Sequence, residues 1–225
     1  CAKLTAMPDR SRARELAADY IQKGDPTGWF EALYREGESG RAEIPWDDRK
    51  PNANLLQFWR TNAFSAEGKS AIVVGCGLGD DAEQIAAWAF RTTAFDISAT
   101  AIAMARERFP NSKIEYAAVD LFEAPAAWRS AFDFVFESNT LQALPAEVRP
   151  RAIDAVASFV RPTGLLLVIA RSREESDPEG EVPWPLTRRE FDRFLQAGLL
   201  QKSFEEITDA ETPHTRRFRA IYTRK

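Results

Sequence analysis

Cysteine and histidine are scarce in this chain of 225 residues, which has two cysteines, Cys1 and Cys76, and one histidine, His214. Two cysteines are far too few for a disulfide scaffold. The composition therefore favours a reducing compartment, and we expect a cytoplasmic protein. We predict no metal site, and we interpret His214 as structural and Cys76 as a small packing residue without a nucleophilic role.

Long apolar runs and a strong excess of one charge are also missing. No stretch approaches the ~18 apolar residues of a membrane-spanning helix, and residues 9–15 are charged where a signal peptide would be apolar. The 30 basic and 34 acidic residues give a net charge of −4, which argues against a nucleic-acid partner. We expect no membrane or nucleic-acid partner, and a monomer or weak dimer.

The chain is organised around residues 71–81, which read AIVVGCGLGDD. Residues 71–74 are apolar and mostly β-branched, so they predict a buried parallel strand, and residues 80–90 predict a helix. Glycines between a strand and a helix allow the main chain to approach a nucleotide-like ligand closely. These loop glycines are Gly75, Gly77 and Gly79.

The spacing of the loop indicates which ligand it binds. It reads G-x-G-x-G, and Asp80 stands where a dinucleotide-binding loop has its third glycine, which disfavours a nicotinamide oxidoreductase. Two acids at the start of the helix, Asp80 and Asp81, would suit a ligand with a cationic amine and no phosphate. S-adenosylmethionine (SAM), an adenosine joined to an amino acid through a sulfonium, is such a ligand.

Two further acids follow predicted strands. Asp96 ends the strand at 92–96, where nucleotide-binding folds place a carboxylate on the ribose hydroxyls. The alternative is that Asp96 caps the next helix, but Ser98 is the better cap. Asp120 follows the strand at 114–119, where it can accept from an adenine amino group while Leu121 addresses the ring. The alternative is an aspartate of an ordinary turn.

Strands alternate with helices from residue 71 to residue 197, and strands at 199–206 and 215–223 finish the chain. This pattern predicts an α/β fold, a mainly parallel sheet with helices on both faces and a ligand site at the carboxyl ends of the strands. A capping box, Thr187 with Glu190, begins the predicted helix at 187–197. Arg217 and Arg219 alternate with apolar residues in the last strand, so we expect them on a solvated face.

The loop glycines, Asp96 and the Asp120-Leu121 pair resemble class I SAM-dependent methyltransferases over about residues 70–225. The resemblance implies a Rossmann-like seven-stranded sheet whose last strand is antiparallel. It also implies that the three loop glycines line the methionine part of SAM, Asp96 the ribose, and Asp120 with Leu121 the adenine. Asp81, Ile97 and Glu137 complete the cofactor contacts that we predict on the sheet.

The N-terminal sequence resembles the thiopurine and thiol (halide) methyltransferase superfamily. Trp29-x4-Tyr34-x2-Gly37 is followed by Pro45-Trp46-Asp47 and Pro51, as in the lead-in of that group. The resemblance implies that residues 1–65 form a helical lid over a compact SAM-binding unit at 66–225, with Trp46 and Trp29 near the methionine end. The chain departs from the family at 137–139, where an aromatic is common, and in the longer lead-in at 38–43.

Methyl transfer from a sulfonium requires alignment of the nucleophile and exclusion of water. A thiol, with a pKa of ~8.5, supplies thiolate beside a positive charge and so needs no dedicated base. An alcohol or an amide would need a base. Because histidine is scarce in this chain, we favour sulfur as the acceptor. Alternatives are an O- or N-methyltransferase and a non-catalytic SAM-binding protein. Asn139 and Arg171 are candidate positioning residues. The alternatives are that Asn139 only caps its turn and that Arg171 forms a surface ion pair with Glu174 or Glu175.

Overall fold

The computed structural model describes residues 9–62, 64–208 and 215–225. Cys1 and His214 lie outside the described residues. The α-helices are α1 (Ser11–Gln22), α2 (Gly28–Glu38), α3 (Ala53–Thr61), α4 (Asp80–Ala87), α5 (Ala99–Arg108), α6 (Arg149–Ser158), α7 (Arg188–Phe191) and α8 (Arg193–Gln196). The strands are β1 (Ser70–Val74), β2 (Arg91–Asp96), β3 (Glu115–Ala118), β4 (Phe132–Ser138), β5 (Val160–Arg171), β6 (Leu199–Thr208) and β7 (Arg216–Arg224). Turns of 3-10 helix lie at Leu121–Glu123, Ala126–Trp128 and Leu141–Ala143.

In the described part of the chain, seven strands form one sheet of order β3-β2-β1-β4-β5-β7-β6. The pairs from β3 through β5 are parallel, and β7 is antiparallel to both β5 and β6. The order reverses at β1, which lies between β2 and β4, and ligand sites of such sheets form at this switch point. The predicted fold, a Rossmann-like and mainly parallel sheet with an antiparallel last strand, is confirmed.

Helices cover both faces of the sheet through separate apolar clusters. Ile72 and Val74 pack in the cluster that includes residues of α6, α7 and α8, whereas Ala71 and Val73 pack with residues of α3, α4 and α5. This alternation follows the period of two of a strand. Because both faces of β1 are buried, residues 71–74 are apolar without interruption.

The N-terminal helices have two different positions. α1 and α2 form a third cluster, in which Leu16 and Trp29 pack with Ala143 and Val182 from loops at the carboxyl edge of the sheet. α3 instead packs Leu55 on a face of the sheet. The first two helices therefore cover the edge where the predicted site residues lie.

The helix predicted at 187–197 is divided into α7 and α8, which meet at Asp192. The predicted capping box of Thr187 and Glu190 is confirmed at the start of α7. At the junction, the amide of Leu195 donates 3.0 Å to the carbonyl of Asp192, three residues back. This is the tighter 3-10 spacing, and it interrupts the α-helical ladder that the sequence pattern predicted as continuous.

Candidate active site

A cavity of about 750 Å³ lies at the carboxyl ends of the strands, beneath α1 and α2. Its volume is typical of a small-molecule site. All of the predicted site residues except Glu137 line it: Trp29, Trp46, Gly75, Gly77, Gly79, Asp81, Asp96, Ile97, Asp120, Leu121, Asn139 and Arg171.

The loop after β1 requires glycine. Gly75 has a φ of +57° and Gly77 a φ of +52°, a left-handed conformation that costs other residues ~1–2 kcal/mol. A Cβ on Gly75 would lie 2.2 Å from the hydroxyl of Thr140, and a Cβ on Gly77 would lie 2.9 Å from the hydroxyl of Tyr34. The loop therefore presents bare main chain to the cavity.

The two acids that follow the loop differ in their partners. Asp80 accepts a 2.9 Å hydrogen bond from Nη1 of Arg108, and Nη2 of the same guanidinium donates 2.9 Å to Asp47. Asp80 therefore neutralises a cation of the protein. Of the acids that the sequence offered for a cationic amine, Asp81 is the one that has no ion pair with Arg108.

Asp81 lies where the N-terminal segment meets the glycine loop. Its Oδ1 accepts 2.7 Å from the backbone amide of Asn52, whose side chain donates 3.0 Å to the hydroxyl of Ser138. Desolvation raises the pKa of Asp81 to about 7. An ammonium group beside this carboxyl would favour its ionised form.

Asp96 is fixed by backbone donors at both oxygens. Gly77 donates 3.0 Å to Oδ2 and Ser98 donates 2.9 Å to Oδ1. Burial nevertheless raises the pKa of Asp96 to about 6. The helix cap is Ser98, whose hydroxyl accepts from the amide of Ala101, as predicted.

Asp120 is an aspartate of a turn, as one of the two interpretations predicted, and it also lines the cavity. Its Oδ1 accepts 2.8 Å from the amide of Phe122 and so caps a turn of 3-10 helix. The same half-buried residue lines the cavity together with Leu121. A capping oxygen does not prevent the second oxygen of a carboxylate from accepting from a ligand.

Three aromatic side chains of the N-terminal segment close the cavity. Trp46 is 37% exposed, and its indole N–H donates 2.7 Å to the hydroxyl of Tyr34. Trp29 is fully buried, and its indole N–H has no hydrogen-bond partner among the described residues. Tyr34 was not predicted as a site residue, although its spacing from Trp29 was part of the family resemblance.

The other end of the cavity is basic. Asn139 has a φ of +67°, and its Oδ1 accepts 3.1 Å from Nη1 of Arg217. The amide of Arg171 donates 2.7 Å to the side chain of Gln142. Arg217 and Arg10 line the cavity with Arg171, and the sequence predicted neither of these two as a site residue.

The expectation that the arginines of β7 form a solvated face is wrong. Arg219 is buried and donates to Gln57 and Glu205, and Arg217 faces the cavity. Alternation identifies which residues share a face of a strand, but it does not identify what covers that face. Glu174, one of the acids predicted as an alternative partner of Arg171, pairs at 2.9 Å with Arg216.

Glu137 lies inside the protein, at the end of β4, and does not line the cavity. Its Oε1 accepts 3.0 Å from the amide of Leu141, whereas Oε2 has no hydrogen-bond partner among the described residues. Burial raises the pKa of Glu137 to about 7. Its described contact anchors the turn at 139–143, which carries Asn139 and Gln142.

Burial raises the pKa of the Cys76 thiol well above its ordinary value, which supports packing and not nucleophilic attack. Within the described residues, no group of three or more histidine, cysteine and acidic side chains is placed to hold a metal ion. No described helix is long and apolar enough to span a membrane.

Charge and shape at the glycine-loop end fit SAM. A Cβ at Gly75 or Gly77 would collide with Thr140 or Tyr34, so the loop lines the cavity with main chain that no side chain covers. Asp81 in the first turn of α4, Asp96 at the end of β2 and Asp120 after β3 place three carboxylates along the cavity. A cationic amine and the donors of ribose and adenine are groups that such carboxylates can bind.

Comparison with known proteins decides the family. The model of the thiopurine S-methyltransferase family matches residues 36–223. The chain belongs to this family. It is accordingly a SAM-dependent methyltransferase of small molecules, and SAM is its cofactor. The predicted enzyme class and cofactor are confirmed, and the nicotinamide and non-catalytic alternatives are set aside.

Two curated proteins and a solved structure are similar to this chain. Thiocyanate methyltransferase 1 of Arabidopsis thaliana is 27% identical over 215 residues, which cover 94% of this chain and 86% of that protein. Thiopurine S-methyltransferase of Vibrio atlanticus (strain LGP32) is 24% identical over 178 residues, which cover 72% of this chain and 80% of that protein. The N-methyltransferase NodS of Bradyrhizobium japonicum WM9, solved with S-adenosyl-L-homocysteine, shares the fold with a TM-score of 0.67 at 20% identity, over 85% of this chain and 97% of that one.

Proposed function

We propose that this enzyme methylates the sulfur of a small thiol. The observation that carries the proposal is the basic acceptor end of the cavity, which Arg10, Arg171 and Arg217 line. Nearby guanidinium groups lower the pKa of a thiol and stabilise the thiolate, which is the nucleophile. The curated relatives, one named for thiocyanate and one for thiopurine S-methylation, support the same acceptor atom.

Under this proposal the cofactor lies along the ends of β1, β2 and β3. When bound, SAM supplies an electrophilic methyl group on a sulfonium. Asp96 binds the ribose hydroxyls, Asp120 with Leu121 binds the adenine, and Asp81 faces the amine. The glycine loop and Ile97 complete the contacts, and Glu137 supports the neighbouring turn from beneath.

The remaining residues align the acceptor and exclude water. Trp29 and Trp46 close the cavity over the methionine end, because large apolar rings leave little room for solvent. Arg171 holds the thiolate, and Asn139 orients Arg217 through the 3.1 Å hydrogen bond between them. The acceptor proton leaves to solvent before binding, so sulfur as the acceptor needs no general base.

A second candidate is transfer to oxygen or nitrogen. Asp81 favours it, because a cavity-lining carboxyl with a pKa of about 7 is suited to accept a proton as a general base at neutral pH. The position of Asp81 beside Asn52, on the cofactor side of the cavity, weakens this candidate.

Release of S-adenosylhomocysteine from SAM, measured with a panel of thiols, iodide, phenols and amines, tests the acceptor atom. We expect turnover with thiols, and mass spectrometry of the product should place the methyl group on sulfur. Turnover confined to phenols or amines would contradict the proposal and favour Asp81 as a base.

We further propose that the N-terminal segment at 1–65 acts as a lid through α1 and α2, while its α3 packs on a face of the sheet of one compact SAM-binding unit at 66–225. We also propose that the protein is cytoplasmic, that it is a monomer or weak dimer, and that it has no nucleic-acid partner. The net charge of −4 supports the last point. Light scattering coupled to gel filtration tests the assembly state, and a tetramer would contradict it.

A further inference from the structure

We infer that the side-chain amide of Gln142 donates a hydrogen bond to the sulfur of the acceptor, and that Gln142 is thereby a catalytic residue of the transfer. This inference rests on the proposed methylation of a thiol and adds a residue that binds the reacting atom. Gln142 was not among the site residues predicted from the sequence.

Gln142 is buried, and only one of the two polar atoms of its side chain is paired. The residue is 5% exposed and lines the cavity. Its Oε1 accepts 2.7 Å from the backbone amide of Arg171, which distinguishes the oxygen of the carboxamide from the nitrogen. Nε2 donates to none of the described residues. An unpaired donor at this depth is costly, and a ligand atom that accepts from it removes that cost.

The unpaired nitrogen is accessible to a ligand. Trp29 and Glu137 also have unpaired polar atoms, but protein encloses both of these atoms. Nε2 of Gln142 is not enclosed in this way, and the space that Gln142 lines is the cavity. A ligand can therefore reach Nε2 without movement of the chain.

The turn that carries Gln142 is held on both sides. The hydroxyl of Thr140 donates 3.2 Å to the carbonyl of Val74 at the end of β1. The amide of Trp184 donates 2.7 Å to the carbonyl of Gln142 itself. Together with the bond from Arg171 to Oε1, these contacts fix the direction of Nε2 before a ligand binds, which is preorganisation.

The position of Gln142 suits the reacting sulfur. β4, which leads into the turn, lies between β1 and β5, and two strand spacings are ~10 Å. On the β1 side lies the glycine loop, which the proposed function gives to the cofactor. On the β5 side lies Arg171, which the proposed function gives to the thiolate. A sulfur between the cofactor and Arg171 therefore lies beside Gln142.

A carboxamide N–H suits a thiolate because it donates a hydrogen bond and cannot take up a proton at neutral pH. Hydrogen bonds to an ionised partner are the stronger ones, so the donor favours the thiolate over the thiol. One lone pair of sulfur accepts from Nε2 and another forms the bond to the methyl carbon. The electron pair of the broken bond between this carbon and the sulfonium stays on the departing thioether.

Two substitutions separate the donor from the rest of the side chain. Gln142→Glu keeps the oxygen that accepts from Arg171 and replaces the donor by an acceptor, whereas Gln142→Met keeps the length of the side chain and neither polar atom. We measure kcat/KM with benzenethiol, whose sulfur is its one hydrogen-bonding group, at about pH 9, where the thiol is ionised.

We expect kcat/KM to fall about tenfold to hundredfold in Gln142→Met, and further in Gln142→Glu because two negative charges then meet. Gln201→Glu makes the same chemical change at an exposed position of β6 and should keep the wild-type value. Calorimetry with S-adenosylhomocysteine should give an affinity within about twofold of the wild type for every variant, as expected if each one folds.

The pH dependence of kcat is a readout that loss of packing alone would not move. It reports the pKa of the thiol in the complex with enzyme and cofactor, and this pKa should rise by about one unit in Gln142→Met. The charged residues of the cavity, Glu43, Asp48 and Asp81 among them, are the same in both proteins. The difference between the two profiles therefore isolates Gln142.

Several results would overturn the inference and leave transfer to sulfur intact. One is a kcat/KM for benzenethiol that neither variant changes, and another is a fall without a shift of the thiol pKa, which would mean that Gln142 only packs. An equal loss of affinity for S-adenosylhomocysteine would assign Gln142 to the cofactor. Methylation of other thiols but not of benzenethiol would mean that Gln142 serves another group of the acceptor. If only phenols or amines are methylated, the proposed sulfur acceptor fails, and the inference with it.

Discussion

The backbone amide of Gly77 donates a 3.0 Å hydrogen bond to Oδ2 of Asp96. The glycine loop after β1 and the acid at the end of β2 therefore hold each other in place. Because Oδ1 is held by the amide of Ser98, the carboxylate cannot rotate freely. Its remaining lone pairs are directed before a ligand arrives, which is the preorganisation that favours tight binding.

Asp96→Asn should weaken the binding of SAM and S-adenosylhomocysteine by about tenfold or more. The amide nitrogen cannot accept from a ribose hydroxyl, and hydrogen bonds to a charged group contribute ~1.5–3 kcal/mol. Isothermal titration calorimetry with S-adenosylhomocysteine measures this loss.

Ser98→Ala is the matched control, because Ser98 caps α5 through Ala101 and should cost ~1 kcal/mol of stability. Its effect on cofactor affinity should be small. Unchanged affinity in a folded Asp96→Asn variant would remove Asp96 from the ribose site.

The glycine loop and the acids at strand ends could be located from the sequence because their signals are local. Asp96 directly follows an apolar run, and the carboxyl end of a parallel strand is where ligands bind. Ser98 could be separated from Asp96 as the cap by the same local spacing. The family resemblance supplied the role that we propose for Trp46, which hydropathy alone would have left as a loop residue.

The basic end of the cavity could not be predicted, since it depends on contacts between distant segments. Arg217 faces the cavity because β7 pairs with β5 in one register, and alternation gives the same pattern for either face. Arg10 reaches the cavity because α1 and α2 pack on Ala143 and Val182. No local pattern indicates that Arg108 bridges Asp47 and Asp80.

Glu137→Gln should alter the dependence of stability on pH. In the unfolded chain this carboxyl releases its proton near its ordinary pKa of 4.5, but in the folded protein it does so only near 7. Ionisation at neutral pH therefore costs stability, and the free energy of unfolding should rise as the pH falls from about 8 to 5.5, with at least about 1 kcal/mol from Glu137.

Urea unfolding at both pH values measures this contribution as the difference between the wild type and Glu137→Gln. Glu147→Gln, at an exposed position before α6, should retain the wild-type difference. Identical pH dependence in Glu137→Gln and the wild type would show that this carboxyl titrates normally.

Arg108→Gln should loosen the proposed lid. Arg108 joins Asp47 of the N-terminal segment to Asp80 of α4, each at 2.9 Å. Desolvation raises the pKa of Asp80, the charge of Arg108 lowers it, and the charge of Asp47 raises it. Without the guanidinium the two acids repel each other. We expect severalfold weaker SAM binding and faster tryptic cleavage after Arg49, which is exposed.

A double-mutant cycle of Asp47→Asn and Arg108→Gln isolates the contact, with an expected coupling of ~0.5–2 kcal/mol in stability. Arg91→Gln serves as the control for loss of one positive charge. Additive effects in the cycle would mean that the ion pair does not hold the lid.

Gly77→Ala should be destabilising and should abolish tight cofactor binding, and Tyr34→Phe should repair part of the damage. The alanine must adopt a φ of +52°, and its Cβ would lie 2.9 Å from the Tyr34 hydroxyl. The backbone strain of ~1–2 kcal/mol remains in the double variant, but the contact with the hydroxyl disappears. Thermal unfolding of the single and double variants should therefore show a less-than-additive loss.

Tyr34→Phe alone measures the cost of leaving the Trp46 indole N–H without its acceptor. Fully additive losses would mean that the loop moves away from Tyr34 when Cβ is added, so that the hydroxyl does not limit the residue at position 77.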